Sequence, residues 1–214
     1  MNGLAVERRP TGFDARDAAL LARLGAQFDE NPDAFIEASK RPTAKDFQLI
    51  GTFVQVYCFA ELSARQIIEM IDSVIPSQSK EAASRLSGHD VFPHLILAAN
   101  RLKNNSKGNV KETLIRAAGI IGMHRQMRHT FAHWAVRRVE GDKAFLLLSK
   151  NAQEGKKRTG TMPMVRCMNY GIVAKETLRR ELRKLEEHTQ NLSVVAAHMN
   201  KDSATLARMV QASI

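Results

Sequence analysis

The chain has 214 residues, of which 44% are hydrophobic and 25% are charged. That length suffices for one well-buried domain, and the composition is typical of a soluble globular protein and excludes a disordered chain. The formal charge of +10 and the isoelectric point of about 9.9 suit a polyanionic partner such as RNA, DNA or an anionic membrane surface, without choosing among them.

Cysteine usage and hydropathy predict a reduced, cytoplasmic protein. Cys58 and Cys167 are far apart and form no C-x-x-C pair, so neither a zinc knuckle nor a disulfide framework is indicated. Residues 1–20 lack the pattern of a secretory signal. The most apolar segment, 49–71, contains three charged residues and is therefore a poor membrane span. We expect no membrane partner.

The N-terminal third predicts helices separated by prolines. An apolar repeat predicts a helix over 14–30, and a short helical piece over 33–39 follows. Thr43, with Asp46 three residues later, forms a capping-box-like start for one long helix over 43–75. Apolar residues cover more than half of the circumference of this helix, so we expect it to be central, with neighbours on at least two sides.

The middle of the chain continues the helical pattern. A polar stretch over 77–87 predicts at most one short helix, and a turn then precedes a helix over 91–102. A polar loop over 103–109 separates this helix from the next, over 110–133, which has an inner apolar stripe.

After residue 133 the hydrophobic period changes from helical to alternating. Segments 135–139 and 143–149 flank a turn at Gly141, which is a hairpin signature. A basic loop over 150–161 leads to a candidate third strand over 162–168.

A last long helix over 174–199 has apolar residues at alternating spacings of four and three, which favours a bundle helix, with a coiled-coil seam as the alternative. The elements together predict a mostly α fold, a helical bundle with a β-hairpin or small three-stranded sheet before the last long helix. The predicted organisation is an N-terminal helical arm over 1–42, a helical domain over 43–200 and a C-terminal extension over 201–214. The sheet insertion within the helical domain covers about 135–168.

The densest group of anion ligands and proton carriers lies at the end of the helix predicted over 110–133. It comprises Arg125, Arg128, His129, His133 and Trp134. Guanidinium binds phosphate oxygens through a rigid fork of donors, and imidazole titrates near neutral pH. A site that binds or cleaves a phosphodiester needs both groups.

Arg128 and His133, with four residues between them and with the polar His129 directly after the arginine, resemble the R-x4-6-H motif of the HEPN superfamily. These are helical domains found in many prokaryotic RNases of toxin, abortive-infection and CRISPR-associated systems. The family's second feature is an acidic residue with a basic residue four positions later in an early long helix, and Glu61 and Arg65 match it. The resemblance implies a HEPN-like helical bundle.

The resemblance, which covers 43–200 in helix order, also implies cleavage of RNA without a metal or other cofactor. His133 would act as general base on a ribose 2′-OH or as general acid toward the leaving 5′-oxygen, and Arg128 would stabilise charge on the phosphate. His129 would orient His133 or contact phosphate, with Arg125 in support. The expected products are a 2′,3′-cyclic phosphate and a 5′-hydroxyl, and DNA would resist because it lacks the 2′-OH. A homodimer and a regulatory protein such as an antitoxin are the implied protein partners.

Helical geometry gives independent expectations for Arg128. It lies in register with the apolar stripe of its helix, and a buried arginine needs a partner, for which Glu61 is the candidate. A structural ion pair between the two, without chemistry, is the competing interpretation. On a straight helix Arg128 and His133 are about 140° apart, so a shared site needs a helix end near Trp134 or a second copy of the chain.

Several alternatives stay open from the residues alone. His129 and His133 have the spacing of a helical metal pair, but there is no H-E-x-x-H motif and no identified third ligand. The loop before the candidate third strand has basic residues that either contact an RNA backbone or are simply solvated: Lys150, Lys156, Lys157 and Arg158. A non-catalytic HEPN-like module that binds RNA or protein competes with the nuclease, and a DNA-associated regulator is favoured by the basic charge alone.

Overall fold

The computed structural model describes residues 15–74, 82–102, 110–139, 141, 143–149 and 169–201. The described helices are α1 (Ala15–Glu30), α2 (Pro32–Ala38), α3 (Ala44–Val74), α4 (Val91–Asn100), α5 (Val110–His133) and α6 (Lys175–Lys201), with a 3-10 turn at Ala83–Arg85. Three strands, β1 (Ala135–Val139), β2 (Ala144–Ser149) and β3 (Asn169–Ala174), separate α5 from α6. The mostly helical fold with a small sheet before the last long helix is therefore confirmed. None of the described helices has both the length and the hydropathy that crossing a membrane requires.

The sheet is antiparallel, with the strand order β1-β2-β3. The predicted hairpin is confirmed, and Gly141 in its turn has a φ of 53°, a left-handed conformation that glycine adopts without steric cost. Leu148 of β2 pairs with Ala135 on one side and Tyr170 on the other. The third strand is thus Asn169–Ala174, while the segment predicted for it, 162–168, lies outside the described residues.

Contacts along the chain group it into two compact units. The first contains Met1–Leu49 and Thr130–Arg180, and the second contains Ile50–His129 and Glu181–Ile214. The domain bounds expected from the sequence stay a prediction.

In the first unit, α1 packs on one face of the sheet. Leu24 and Phe28 are buried together with Leu146 of β2. The Tyr170 ring stacks on Phe28 with ring centroids 3.9 Å apart, and its hydroxyl donates a hydrogen bond of 2.5 Å to Asp29. Alternate residues of β2 and β3 supply this face, as the two-residue period of a strand requires.

The start of α3 belongs to the first unit and confirms the predicted capping box. Thr43 donates to Asp46 Oδ2 from both its backbone N–H and its hydroxyl, at 2.8 Å each, and the Asp46 N–H donates to Thr43 Oγ1 at 3.3 Å. The buried Asp46 also accepts from Lys175 Nζ at 2.7 Å. Burial alone would raise the pKa of Asp46, but the hydrogen bonds from Lys175 and Thr43 lower it overall.

The second unit is organised around α3, as expected. Its buried stripe repeats at spacings of four and three residues: Phe53, Tyr57, Ala60, Ala64, Ile67 and Ile71. Three helices contact α3: the ring centroids of Tyr57 and Phe92 of α4 are 5.8 Å apart, those of Phe53 and His124 of α5 are 5.9 Å apart, and the Ser63 hydroxyl is 3.3 Å from that of Ser193 of α6.

The apolar arc of α3 is not entirely core, which corrects the sequence interpretation. Phe47, Phe59 and Leu62 are each more than half exposed. Helical periodicity identifies an apolar arc, but how much of it neighbouring helices cover depends on tertiary packing.

Candidate functional site

The motif residues occupy the last turns of α5. His133 is the final residue of this helix, and the N–H of Trp134 still donates to the Thr130 carbonyl at 2.9 Å. The helix therefore does not end between Arg128 and His133, and regular geometry keeps the two side chains about 140° apart around the helix axis. Arg128 belongs to the second compact unit, and His133 belongs to the first.

Arg128 is half-buried, and the hydrogen-bond donors of its guanidinium are poorly satisfied by the described residues. Its Nη2 lies 3.8 Å from Cys58 Sγ, a weak contact because a thiol is a weak acceptor. Its Nε is buried and has no hydrogen-bond partner among the described residues. The expected ion pair with Glu61 is not formed in the described part of the chain, since Glu61 pairs with Arg65 instead.

The Glu61–Arg65 pair forms at the predicted spacing and is tied to the backbone. Arg65 Nη2 donates to Glu61 Oε1 at 2.7 Å and to the Leu86 carbonyl at 2.9 Å, and Nη1 donates to the Ala83 carbonyl at 2.5 Å. Both charged side chains are 20% exposed. Arg65 therefore holds the segment around the 3-10 turn against α3. Its hydrogen-bonded N–H groups have a structural role.

Tyr57 is a polar feature of this region that the sequence analysis did not single out. The residue is 1% exposed, and its hydroxyl has no hydrogen-bond partner among the described residues. Burial, as the largest cause, raises the pKa of Tyr57 to about 12, and the charge of Glu61 raises it further. The charges of Arg125 and Arg128 lower the pKa of Tyr57 and so partly offset this increase. The hydroxyl thus stays a hydrogen-bond donor at neutral pH, within electrostatic reach of both arginines.

The remaining predicted residues differ in accessibility. His129 is half-buried, whereas His133 and Arg125 are exposed. Trp134 is 6% exposed, which fits a core anchor better than a base-stacking platform. The basic loop residues Lys150, Lys156, Lys157 and Arg158 lie outside the described residues.

A second polar group, which the sequence did not indicate, lies in the core of the second unit. His124 Nε2 is 3.0 Å from Glu181 Oε2, and His124 Nδ1 is 2.9 Å from the Ile120 carbonyl oxygen. Lys184 donates to the other Glu181 oxygen at 2.8 Å. Burial alone would raise the pKa of Glu181, but the hydrogen bonds from Lys184 and His124 lower it overall. His124 and Glu181 are 57 residues apart, so no local spacing could have paired them.

Within the ranges that the structure describes, no three or more His, Cys, Asp or Glu side chains are arranged to hold a metal ion. The motif residues supply guanidinium and imidazole groups, and Tyr57 and Cys58 add a phenol and a thiol beside Arg128. This set can bind an oxyanion and transfer protons.

Comparison of the chain with protein-family models, with curated proteins and with solved structures finds no match. The HEPN resemblance therefore depends on the motif residues alone.

Proposed function

We propose that the protein is a metal-independent endoribonuclease of the HEPN type, acting as a defence or toxin component. The observation that carries the proposal is the state of Arg128, whose guanidinium has a weak sulfur contact and a buried donor without an acceptor among the residues that the structure describes. An unmet buried donor costs on the order of 1–3 kcal/mol, and a charge-assisted hydrogen bond to an oxyanion recovers it. A phosphate of RNA provides such an oxyanion.

His133 is the proposed proton carrier. It is exposed at the last residue of α5, where a ribose hydroxyl can approach its ring. It takes the proton from the 2′-OH or gives one to the leaving 5′-oxygen, while Arg128 stabilises the charge that develops on the phosphate. The products are a 2′,3′-cyclic phosphate and a 5′-hydroxyl.

The spacing of the two residues favours a site shared by two copies of the chain. Because α5 continues through His133, one helix directs the two side chains about 140° apart. We therefore propose a homodimer in which Arg128 of one copy and His133 of the other act on the same phosphate. A regulatory protein, such as an antitoxin, completes the proposal by keeping the nuclease inactive.

The experiment is incubation of the purified protein with single-stranded RNA in EDTA, followed by analysis of the product ends. Wild type should leave cyclic-phosphate ends, and Arg128→Ala and His133→Ala should each lose about 100-fold or more in rate. Arg179→Ala and His198→Ala are matched controls, since both residues are exposed on α6 and neither belongs to the motif.

Cleavage that survives both motif substitutions contradicts the catalytic assignment. Cleavage that EDTA abolishes and a divalent cation restores favours the metal interpretation instead. Replacement of the ribose by deoxyribose at the cleaved positions should also stop the reaction.

A non-catalytic HEPN-like module that binds RNA is the second candidate. The specific observation in its favour is Arg65, whose bonded donors go to Glu61 and to two backbone carbonyls, so the second motif has a structural role. RNA binding without cleavage, weakened by Arg128→Ala, would be the result that selects it.

A further inference from the structure

We propose that two copies of the chain associate through the outer side of α3, with the two α3 helices antiparallel. This side is called the α3 face, and it consists of six residues: Thr52, Gln55, Phe59, Leu62, Gln66 and Glu69. A homodimer is part of the proposed function, but the surface and orientation assigned to it here rest on the residues of α3 alone. Association is measured without RNA, so its failure and the failure of cleavage are distinguishable.

The α3 face has almost no charge. Between residues 51 and 73, the exposed residues of α3 are uncharged except for Glu69. The half-buried Glu61, Arg65 and Asp72 of this stretch each form an ion pair within the chain. A quarter of the whole chain is charged, and the solvated side of a helix is normally where such residues lie. The exposed residues of this stretch include no Lys or Arg, so the face suits a protein surface and not RNA.

The centre of the α3 face is apolar. Phe59 is 53% exposed and Leu62 is 52% exposed, and residues three apart are neighbours on the surface of a helix. A groove of about 560 Å³ adjoins the face where α3 meets α6, with Gln66 of the face and Ala197 of α6 among its lining residues. An apolar centre with uncharged polar residues around it is typical of protein–protein interfaces.

The residues of the α3 face have the spacing of a helix–helix seam. From Thr52 to Glu69 they follow one another at intervals of three and four residues. This repeat keeps a row of side chains on one side of a helix, where each can pack between residues of a second helix that lies alongside. The buried stripe of α3 occupies the opposite side, so the seam is available to a second copy.

The order of residues along the seam favours an antiparallel pair. With the two-fold axis between Phe59 and Leu62, Phe59 of each copy packs against Leu62 of the other, and Gln55 faces Gln66. A glutamine amide has both donors and acceptors, so the facing amides are complementary. A shift by one repeat would place Phe59 opposite Gln55 or Glu69, so the apolar centre selects a single register.

Glu69 distinguishes the antiparallel pair from a parallel one. In the antiparallel register Glu69 of each copy faces the uncharged Thr52 of the other. A parallel pair in register would instead bring the two Glu69 carboxylates together, and like charges repel. Self-association through the α3 face therefore avoids repulsion in the antiparallel orientation alone.

The first measurement is sedimentation equilibrium of the full chain over a range of concentrations. Wild type should form a reversible dimer with a micromolar dissociation constant, as a small interface allows. Leu62→Lys should raise this constant about 100-fold or more, because two-fold symmetry places the substitution in the interface twice. Leu97→Lys is the matched control, since Leu97 is 63% exposed but lies on α4, and it should leave the constant unchanged.

The second measurement uses Thr52 to test the orientation. Thr52→Lys should lower the dissociation constant by up to about tenfold, because two new ion pairs with Glu69 form across the interface. Thr52→Glu should raise it by a similar factor, because it places two carboxylates opposite each other. In a parallel dimer both substitutions would weaken association, since each would face its own copy. A misfolded variant cannot produce the gain expected for Thr52→Lys.

A wild type that stays monomeric at about 100 µM overturns the proposal and leaves the α3 face to a different protein. A dimer that Leu62→Lys does not weaken shows association through another surface, which overturns it as well. Weaker association in both Thr52 variants contradicts the antiparallel orientation. A dimeric wild type that does not cleave RNA contradicts the proposed function and leaves the α3 face as the surface of association.

Discussion

At the scale of single residues, the region around Arg128 is defined by donors that the described fold leaves unmet. Stable proteins pair nearly all of their buried polar groups with hydrogen-bond partners. A buried polar group without a partner often marks a residue that is kept for a reason other than stability. Among the described residues, Arg128 Nε and the Tyr57 hydroxyl are two such groups, and both lie in the second unit. Arg128 Nη2 also lies 3.8 Å from Cys58 Sγ, and the charges of Arg125 and Arg128 act on Tyr57.

Tyr57→Phe tests whether the hydroxyl is truly unmet. Removing a buried donor without an acceptor should stabilise the protein by about 1 kcal/mol, since its desolvation cost disappears while the ring still packs. Tyr170→Phe is the matched control, because its hydroxyl donates to Asp29 and its loss should destabilise the protein by up to about 1 kcal/mol. Urea unfolding measures both, and equal destabilisation by the two variants would contradict the assignment.

His188 gives a pH dependence with a definite sign. Burial is the largest cause of its lowered pKa, Arg116 and His124 lower it further, and Glu187 acts in the opposite direction. The unfolded chain therefore binds this proton more readily than the folded one. Stability from His188 is fully present above its ordinary pKa of 6.5 and is lost as the pH falls below it.

Unfolding free energy should accordingly fall on acidification from pH 7, by at most about 1.4 kcal/mol per pH unit from this single site. His188→Gln should flatten the profile in this range, whereas the same change at the exposed His198 should leave it as it is. A wild-type profile that stays flat just below pH 6.5 would rule out the contribution from His188.

At the scale of elements, the Asp46 carboxylate at the start of α3 contributes both to a helix cap and to a buried ion pair. Asp46 closes the capping box with Thr43 and also binds Lys175, a residue whose side chain is 7% exposed. Thr43→Ala should cost about 1 kcal/mol, the usual value of a helix cap. Asp46→Ala should cost about 3 kcal/mol, because it also removes the carboxylate that the buried Lys175 ammonium binds.

Denaturant unfolding of Thr43→Ala, Asp46→Ala and Lys175→Met separates the two interactions. Lys175→Met removes the buried charge together with its bond, so it should cost less than Asp46→Ala. The assignment would be wrong if Asp46→Ala were no more destabilising than Thr43→Ala.

Local chemistry explains which elements could be predicted. The capping box, the Glu61–Arg65 pair and the hairpin around Gly141 all depend on residues within a few positions of one another. Strand β3 is harder to recognise because Asn169 and Gly171 weaken its strand pattern, although Tyr170 and Ile172 alternate as a half-buried strand should.

Partners distant in sequence could not be predicted. Glu61 was expected to bind Arg128, and the i, i+4 neighbour Arg65 holds it instead. The Arg128–Cys58 contact spans 70 residues, and no periodicity indicates which side chains meet across helices. The catalytic roles of Arg128 and His133 and the support expected from Arg125 and His129 stay predictions from the motif.

At the scale of the whole molecule, a basic chain contains a motif whose two members project from one regular helix about 140° apart. The formal charge of +10 favours a polyanion, and phosphate contacts supply most of the affinity of such complexes. A two-fold symmetric dimer uses each surface twice, so each copy can provide Arg128 to one site and His133 to the other. The central claim is that these two residues together cleave RNA.

The most direct measurement mixes the two inactive variants. Arg128→Ala and His133→Ala protomers, unfolded and refolded together, should form heterodimers in which one site keeps both native residues and the other has neither. Random association then predicts RNA cleavage in EDTA at about a quarter of the wild-type rate, while each variant refolded alone stays inactive. A mixture as inactive as its components, beside an active refolded wild type, would contradict the shared site. An inactive wild type would contradict the nuclease itself.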